Sequence, residues 1–149
     1  LSTETRFERD LEMHNLRLSL FEAEEIRLWE RRSQALDHAG DGLFLLFARD
    51  HAPLPDRLTA IAGRLEALPA YLLETRSRAV VPQVRLLQSK AIETAEELPI
   101  FIDEIVAAGT TSLPPPELRR LTRAAESAKV AIVISQVHEP KSTMMRLQV

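Results

Sequence analysis

Imidazole is the side chain most readily recruited for proton transfer or metal ligation near neutral pH, and the sequence holds four: His14, His38, His51 and His138. None has another histidine three or four residues away, the spacing that places two ligands on one helical face. His138-Glu139 begins like the zinc-binding His-Glu-x-x-His pattern, but the fifth residue is Ser142, and Pro140 breaks the helix such a motif requires. There is no cysteine, so thiolate ligation, sulfur nucleophiles and disulfides are excluded. The paired carboxylates Glu24-Glu25 and Glu96-Glu97 are adjacent in sequence and do not face one another on a helix, which makes them solvated acids. Arg119, Arg120 and Arg123 form a small basic patch on a helical face. Glycine-rich phosphate loops and nucleophile elbows are absent. The residues themselves therefore offer no catalytic set, no metal site and no cofactor site, and the chain alone is not expected to be an enzyme.

The elements that would carry these groups read as helices. In the segment opening at Pro53, the residues Leu54, Leu58, Ile61, Leu65, Leu68 and Leu72 recur at spacings of 4, 3, 4, 3 and 4, one stripe on a helix and the natural centre of a core. Gly63 inside it costs about 1 kcal/mol against alanine, and close approach of a neighbouring helix is a reason to accept it. Pro69 either kinks this helix or restarts it on the same line. Leu87, Ala91, Thr94, Leu98, Phe101 and Ile105 repeat the pattern over 83–108, again interrupted by a proline, Pro99. The surroundings of the two prolines, Glu66 to Glu74 and Glu96 to Glu104, are alike enough to suggest a helical repeat or a coincidence of composition.

Before the central segment, residues from Thr3 to Leu36 read as one long helix, stopped by Gly40-Asp41-Gly42. Its stripe of Phe7, Leu11, His14, Leu18, Phe21, Glu25 and Leu28, with Met13, Leu16, Leu20 and Ala23 on the opposite face, predicts a central position with neighbours on two sides. His14 is then a buried, hydrogen-bonded core histidine, and Glu25 a structural ion-pair partner. Leu43 to Ala48 is read as a short buried helix and His51 to Asp56 as a turn. Gly109 to Pro116 is read as a loop, Glu117 as the acid of a helix start, and Leu118, Leu121, Ala125, Ala128 and Ile132 as the face of a last helix ending at Pro140. Lys141 to Val149 reads as a tail.

The 149 residues suit one domain with a single core. Nineteen basic and twenty-two acidic residues give a net charge of −3, mixed along the chain, and leave no footprint for nucleic acid or an anionic membrane. No apolar run approaches the roughly 20 residues of a membrane span. No signal-peptide pattern is present, so a cytoplasmic location is only the default and the compartment stays open.

Leu46-Phe47-Ala48-Arg49-Asp50-His51-Ala52-Pro53-Leu54-Pro55-Asp56-Arg57-Leu58, followed by Arg64-Leu65-Glu66-Ala67-Leu68-Pro69-Ala70-Tyr71-Leu72, resembles the amino-terminal part of bacterial domain-of-unknown-function family 885, whose members are mostly helical and peptidase-like. The matching features are the turn from Arg49 to Pro53, Arg57, and the run from Arg64 to Pro69. Phe21-Glu22, Trp29, Pro82 and Glu93 to Glu97 fit more loosely. The chain departs from the family at Glu30, Arg31 and Arg32, where Asp-Pro and a nearby tyrosine would follow the tryptophan. The family's zinc motif belongs to a later part of the polypeptide, so no catalytic residue is carried over.

Together these readings predict an all-α bundle of about five helices, with a long amino-terminal helix and two proline-interrupted ones, in a single domain over residues 1–149. The resemblance implies a non-catalytic accessory domain of a zinc-dependent hydrolase, with the chain, which opens on Leu1, a fragment of something longer. The alternative is a free-standing helical interaction or self-association module. The expected partners are the missing carboxy-terminal part or a second copy, forming a homodimer through the last helix and the tail.

Overall fold

A computed structural model describes residues 2–27, 30, 34–79 and 85–137. The fold is an all-α helical bundle, and among the described residues there are five α-helices and no strand. Helix α1 spans Thr3–Phe21 and passes into a π-helical turn, Glu22–Ile26. Helices α2 (Ala35–Ala48), α3 (Leu54–Arg78), α4 (Arg85–Ser112) and α5 (Pro115–Val137) follow.

The core is built where the α3 stripe places it. Leu58, Ile61, Leu65, Leu68 and Leu72 are buried together with Ala62, and Leu54 packs half-buried at the start. Opposite them lie Leu121, Ala124, Ala125, Ala128 and Ile132 of α5, small residues that let the two helices approach closely. The α3·α5 contact is the most extensive in the molecule. Helix α2 packs on α3 and α4, and α4 on α2 and α5, so the four helices form a ring in the order α2, α3, α5, α4. Contacts fix the directions. Phe47 meets Arg57 across the α2–α3 turn while Gly42 lies under Arg64, so α2 and α3 are antiparallel. Asp37 meets Thr94 and Phe47 meets Phe101, so α2 and α4 are parallel. Asp103 meets Lys129 and Gly109 lies under Leu121, so α4 and α5 are antiparallel.

Neither internal proline breaks its helix. Helix α3 runs through Pro69 and α4 through Pro99, since the packed turns on either side outweigh one missing backbone bond. The residue before each proline (Leu68, Leu98) and the third after it (Leu72, Ile102) are buried in both. The two segments thus present matching faces from diagonal positions in the ring.

Several expectations are corrected. The amino-terminal helix ends at Phe21 instead of Leu36: after the π-helical turn Arg27 adopts φ 53°, in the left-handed region, with its amide bonded to the Glu22 carbonyl. It is not central either, because no residue of α1 is buried. Leu28 and Trp29 lie outside the described residues. Gly40-Asp41-Gly42 does not stop a helix but lies within α2, where Gly40 faces Leu98 and Gly42 faces the Arg64 guanidinium. Leu43 to Ala48 is the second half of α2, and only Leu43 there is buried, with Phe44 and Leu45 exposed. The loop expected from Gly109 shrinks to Leu113 and Pro114. Gly109 is buried in α4, and a side chain there would come within 2.9 Å of Leu121. Gly63, by contrast, marks no such tight approach, since an added Cβ would make only ordinary contact with the Arg120 guanidinium. Pro140, where the last helix is expected to end, and the tail fall outside the described residues.

Leu65→Ala should destabilise the bundle by about 2–5 kcal/mol through lost transfer energy and a residual cavity, whereas replacing exposed Arg76 by alanine should cost about 0.5 kcal/mol or less. Urea melts of the two variants check the placement of the stripe, and comparable losses would contradict it.

Candidate functional site

Arg49, Asp50, His51, Pro53 and Arg57 lie on or beside the α2–α3 turn. Helix α2 leaves its last carbonyls without intrahelical partners, and the backbone turns extended at Arg49. Pro53 then caps α3 with a φ that suits a helix start. One turn into α3, Arg57 reaches back across this connection. Its Nη1 donates to the Phe47 carbonyl at 2.6 Å and its Nε to the Ala52 carbonyl at 2.8 Å, while Nη2 lies 3.5 Å from Asp50 Oδ1. The Arg57 side chain is only 10% exposed and that of Asp50 is 95% exposed, so the carbonyl bonds dominate and the ion pair adds little. A planar fork with five fixed donors suits this clamp, and a lysine could not reproduce it. His51 stands beside it with Nδ1 3.0 Å from the Arg49 carbonyl. Because a carbonyl can only accept, the ring proton in this contact belongs on Nδ1.

A second polar feature spans α3 and α5. Arg120 donates to both carboxylate oxygens of Glu66 at 2.7 Å. That hydrogen bond holds the Glu66 carboxyl below its ordinary 4.5 against the opposing desolvation, and the charges of Arg120 and Arg123 add smaller downward pulls. Arg119 and Arg123 stay exposed and, with Leu118, Thr122 and Glu126, line a shallow open depression of about 420 Å³. All five belong to one helix, which gives a surface dimple and not a cleft. Nearby, Lys129 bridges Asp103 at 2.8 Å and Glu126 at 2.9 Å. These hydrogen bonds raise its ammonium above the ordinary 10.5.

The described histidines stand on separate elements. His14 is exposed on α1, which corrects the buried core position expected for it, and Glu25 is likewise exposed in the π-helical turn. His38 is exposed on α2, His51 is exposed in the turn, and His138 lies outside the described residues. The acids Glu24, Glu25, Glu96 and Glu97 are all exposed. Among the described residues no three His, Asp or Glu side chains are grouped to hold a metal ion. No helix among them is long and apolar enough to cross a membrane.

Two pairings escaped the sequence reading. The Thr94 hydroxyl donates to the Asp37 carboxylate between α2 and α4, and nothing in either local pattern signals it. The role of Arg57 did leave a trace, since an arginine one turn into a helix that follows a proline turn is placed to bond the preceding helix's free carbonyls.

No family model, curated protein or solved structure matches the chain.

Arg57→Ala should destabilise the bundle by about 1–3 kcal/mol, the range for hydrogen bonds from a charged donor, with Arg57→Lys recovering little of it in the same denaturant melts. A depressed Glu66 pKa contributes stability that is present above the unfolded value and lost as pH falls through the lower folded value. The stability gap between the native chain and Glu66→Gln should therefore be constant above pH 4.5 and close as the solution is made more acid. A gap that widens in acid would contradict the pairing.

Proposed function

We propose that this chain is a non-catalytic helical scaffold, the accessory portion of a zinc-dependent, peptidase-like hydrolase related to domain-of-unknown-function family 885, with the catalytic half outside these residues. The observation that carries the reading is the use to which the resembling residues are put. Arg57 clamps a turn, and Leu65, Leu68 and Leu72 fill the core. Residues spent on architecture suit a domain whose task is to hold another part in place. The outer stripe of α5, Val130, Val133 and Ile134, is exposed although apolar and offers that other part a surface of the right character.

A second reading, a free-standing self-association module, is favoured by one specific observation: the apolar side chains of α1 find no cover among the described residues. The length of the intact gene product separates the two. Continuation to a downstream His-Glu-x-x-His supports the scaffold, and a stop near Val149 supports the module.

Metal analysis of the purified chain after dialysis should give well under one zinc per chain, since it has no thiolate and no local histidine pair. One tightly held zinc would overturn the non-catalytic reading and point to histidines gathered from distant helices.

A further inference from the structure

Helix α1 is 19 residues long, about 28 Å at 1.5 Å per residue, and buries none of them. Phe7 is 69% exposed, and Leu11, Leu18 and Phe21 are each about half exposed. Most helical stability in proteins comes from packing an amphipathic face, and propensity alone leaves a helix of this length marginal in water. The stripe repeats at 4, 3, 4 and 3 from Phe7 through Leu11, His14 and Leu18 to Phe21, the seven-residue repeat of a coiled coil with Leu11 and Leu18 at a and Phe7, His14 and Phe21 at d.

The charges beside the stripe identify the occupant. Arg17 has Met13, His14, Leu20 and Phe21 at the helical neighbour spacings, and Glu22, which follows α1 and opens the π-helical turn, has Leu18 and Ser19 behind it. Arg17 has no opposite charge at its spacings, and among the described residues neither makes an ion pair. Arg17 occupies position g and Glu22 the following e. In a parallel two-stranded coil each g faces the following e of the other strand, so two copies of α1 match Arg17 with Glu22 twice. Of the remaining facing pairs, Thr3 with Glu8 and Asp10 with Asn15 bring no like charges together, and the one like-charge meeting, Glu4 with Glu4 at the first a position, falls in the first turn of the helix. An antiparallel pairing that satisfies Arg17 must use Asp10, already bonded to Arg9 at 2.7 Å, and would set Phe21 against Glu4. The chain ends the coil where the stripe fails. The next a position is Glu25, and it lies in the π-helical turn that closes at Arg27.

We propose that α1 is a dimerisation helix, pairing in parallel with α1 of a second copy of this chain through Phe7, Leu11, Leu18 and Phe21 and through reciprocal Arg17–Glu22 ion pairs. The pairing is isologous, the same surface on both chains. It does not depend on whether the bundle serves a hydrolase, because the length of the gene product tests that reading and leaves this one untouched.

The chain's lack of cysteine permits a direct test. In the full chain, Leu18→Cys should form an interchain disulfide under mild oxidation, since a parallel coil sets residue 18 against itself, while Glu12→Cys on the outer face should not. Light scattering over a dilution series should show a dimer whose Kd rises about tenfold with Arg17→Glu or with Glu22→Arg, and returns near the native value when both reversals are combined. Urea melts should show the bundle intact in all of these variants. A monomer at every concentration would overturn the proposal and point to cover for α1 from another part of a longer polypeptide or from its own bundle. Cross-linking confined to mixtures of Phe7→Cys and Leu18→Cys chains would overturn the parallel orientation. Dimers indifferent to both charge reversals would place the interface elsewhere.

Discussion

The close packing of α3 on α5 is the constraint from which the rest of the bundle follows. Leucines and an isoleucine fill the α3 side, and Ala124, Ala125 and Ala128 keep the α5 side low enough for the helices to draw together. Helices α2 and α4 cover this pair together, α2 on α3 and α4 on α5, joined to each other by the Asp37–Thr94 bond and the Phe47–Phe101 ring contact. The same closeness sets Arg120 over Gly63 and within reach of both oxygens of Glu66. That exposed ion pair is a product of the packing and not its cause, since exposed pairs add little to stability.

The turn between α2 and α3 shows how a recognisable sequence can be architectural. The short connection from Arg49 to Pro53 must reverse the chain while leaving α2's terminal carbonyls satisfied, and proline contributes no donor. Arg57 supplies the missing donors from the far side of the turn. Pattern and geometry are coupled here: the proline fixes where α3 begins, and that start places position 57 within reach of the Phe47 carbonyl.

Periodicity made α3, α4 and α5 legible as helices, although on α4 the expected Phe101 is only half-buried and Ile102, outside the expected stripe, is buried. Leu58, Ile61, Leu65, Leu68 and Leu72 are buried as their spacing requires, and so are Leu121, Ala125, Ala128 and Ile132. Glycines misled where tertiary contact overrides local preference. Gly40 and Gly42 read as a stop, yet both sit in a helix beneath neighbouring side chains, and Gly109 is held in α4 because Leu121 leaves no room for a Cβ. Thr110 and Thr111, typical of loops, return their hydroxyls to the carbonyls of Ala107 and Ala108 and remain helical. Of the candidate chemistry, the clamp by Arg57 left only a trace, an arginine one turn past a proline turn, because a donor's targets are set by a turn whose path the sequence does not specify.

Helix α1 marks the limit of such reading. A spacing of 4 and 3 reports that a helix has an apolar face, and carries no information on which chain supplies the cover. The sequence therefore suggested a central helix where the fold has a bare one. The physical consequence is a division of labour along the chain. Helices α2 to α5 hold themselves together through one core, whereas α1 adds no buried residue to it, so changes in the cover of α1 leave the core contacts of the bundle untouched. The proposed pairing of α1 would follow mass action, its stabilisation growing with the logarithm of partner concentration. The π-helical turn and left-handed Arg27 stand between α1 and α2, ending the heptad before a second glutamate, Glu25, would enter the seam.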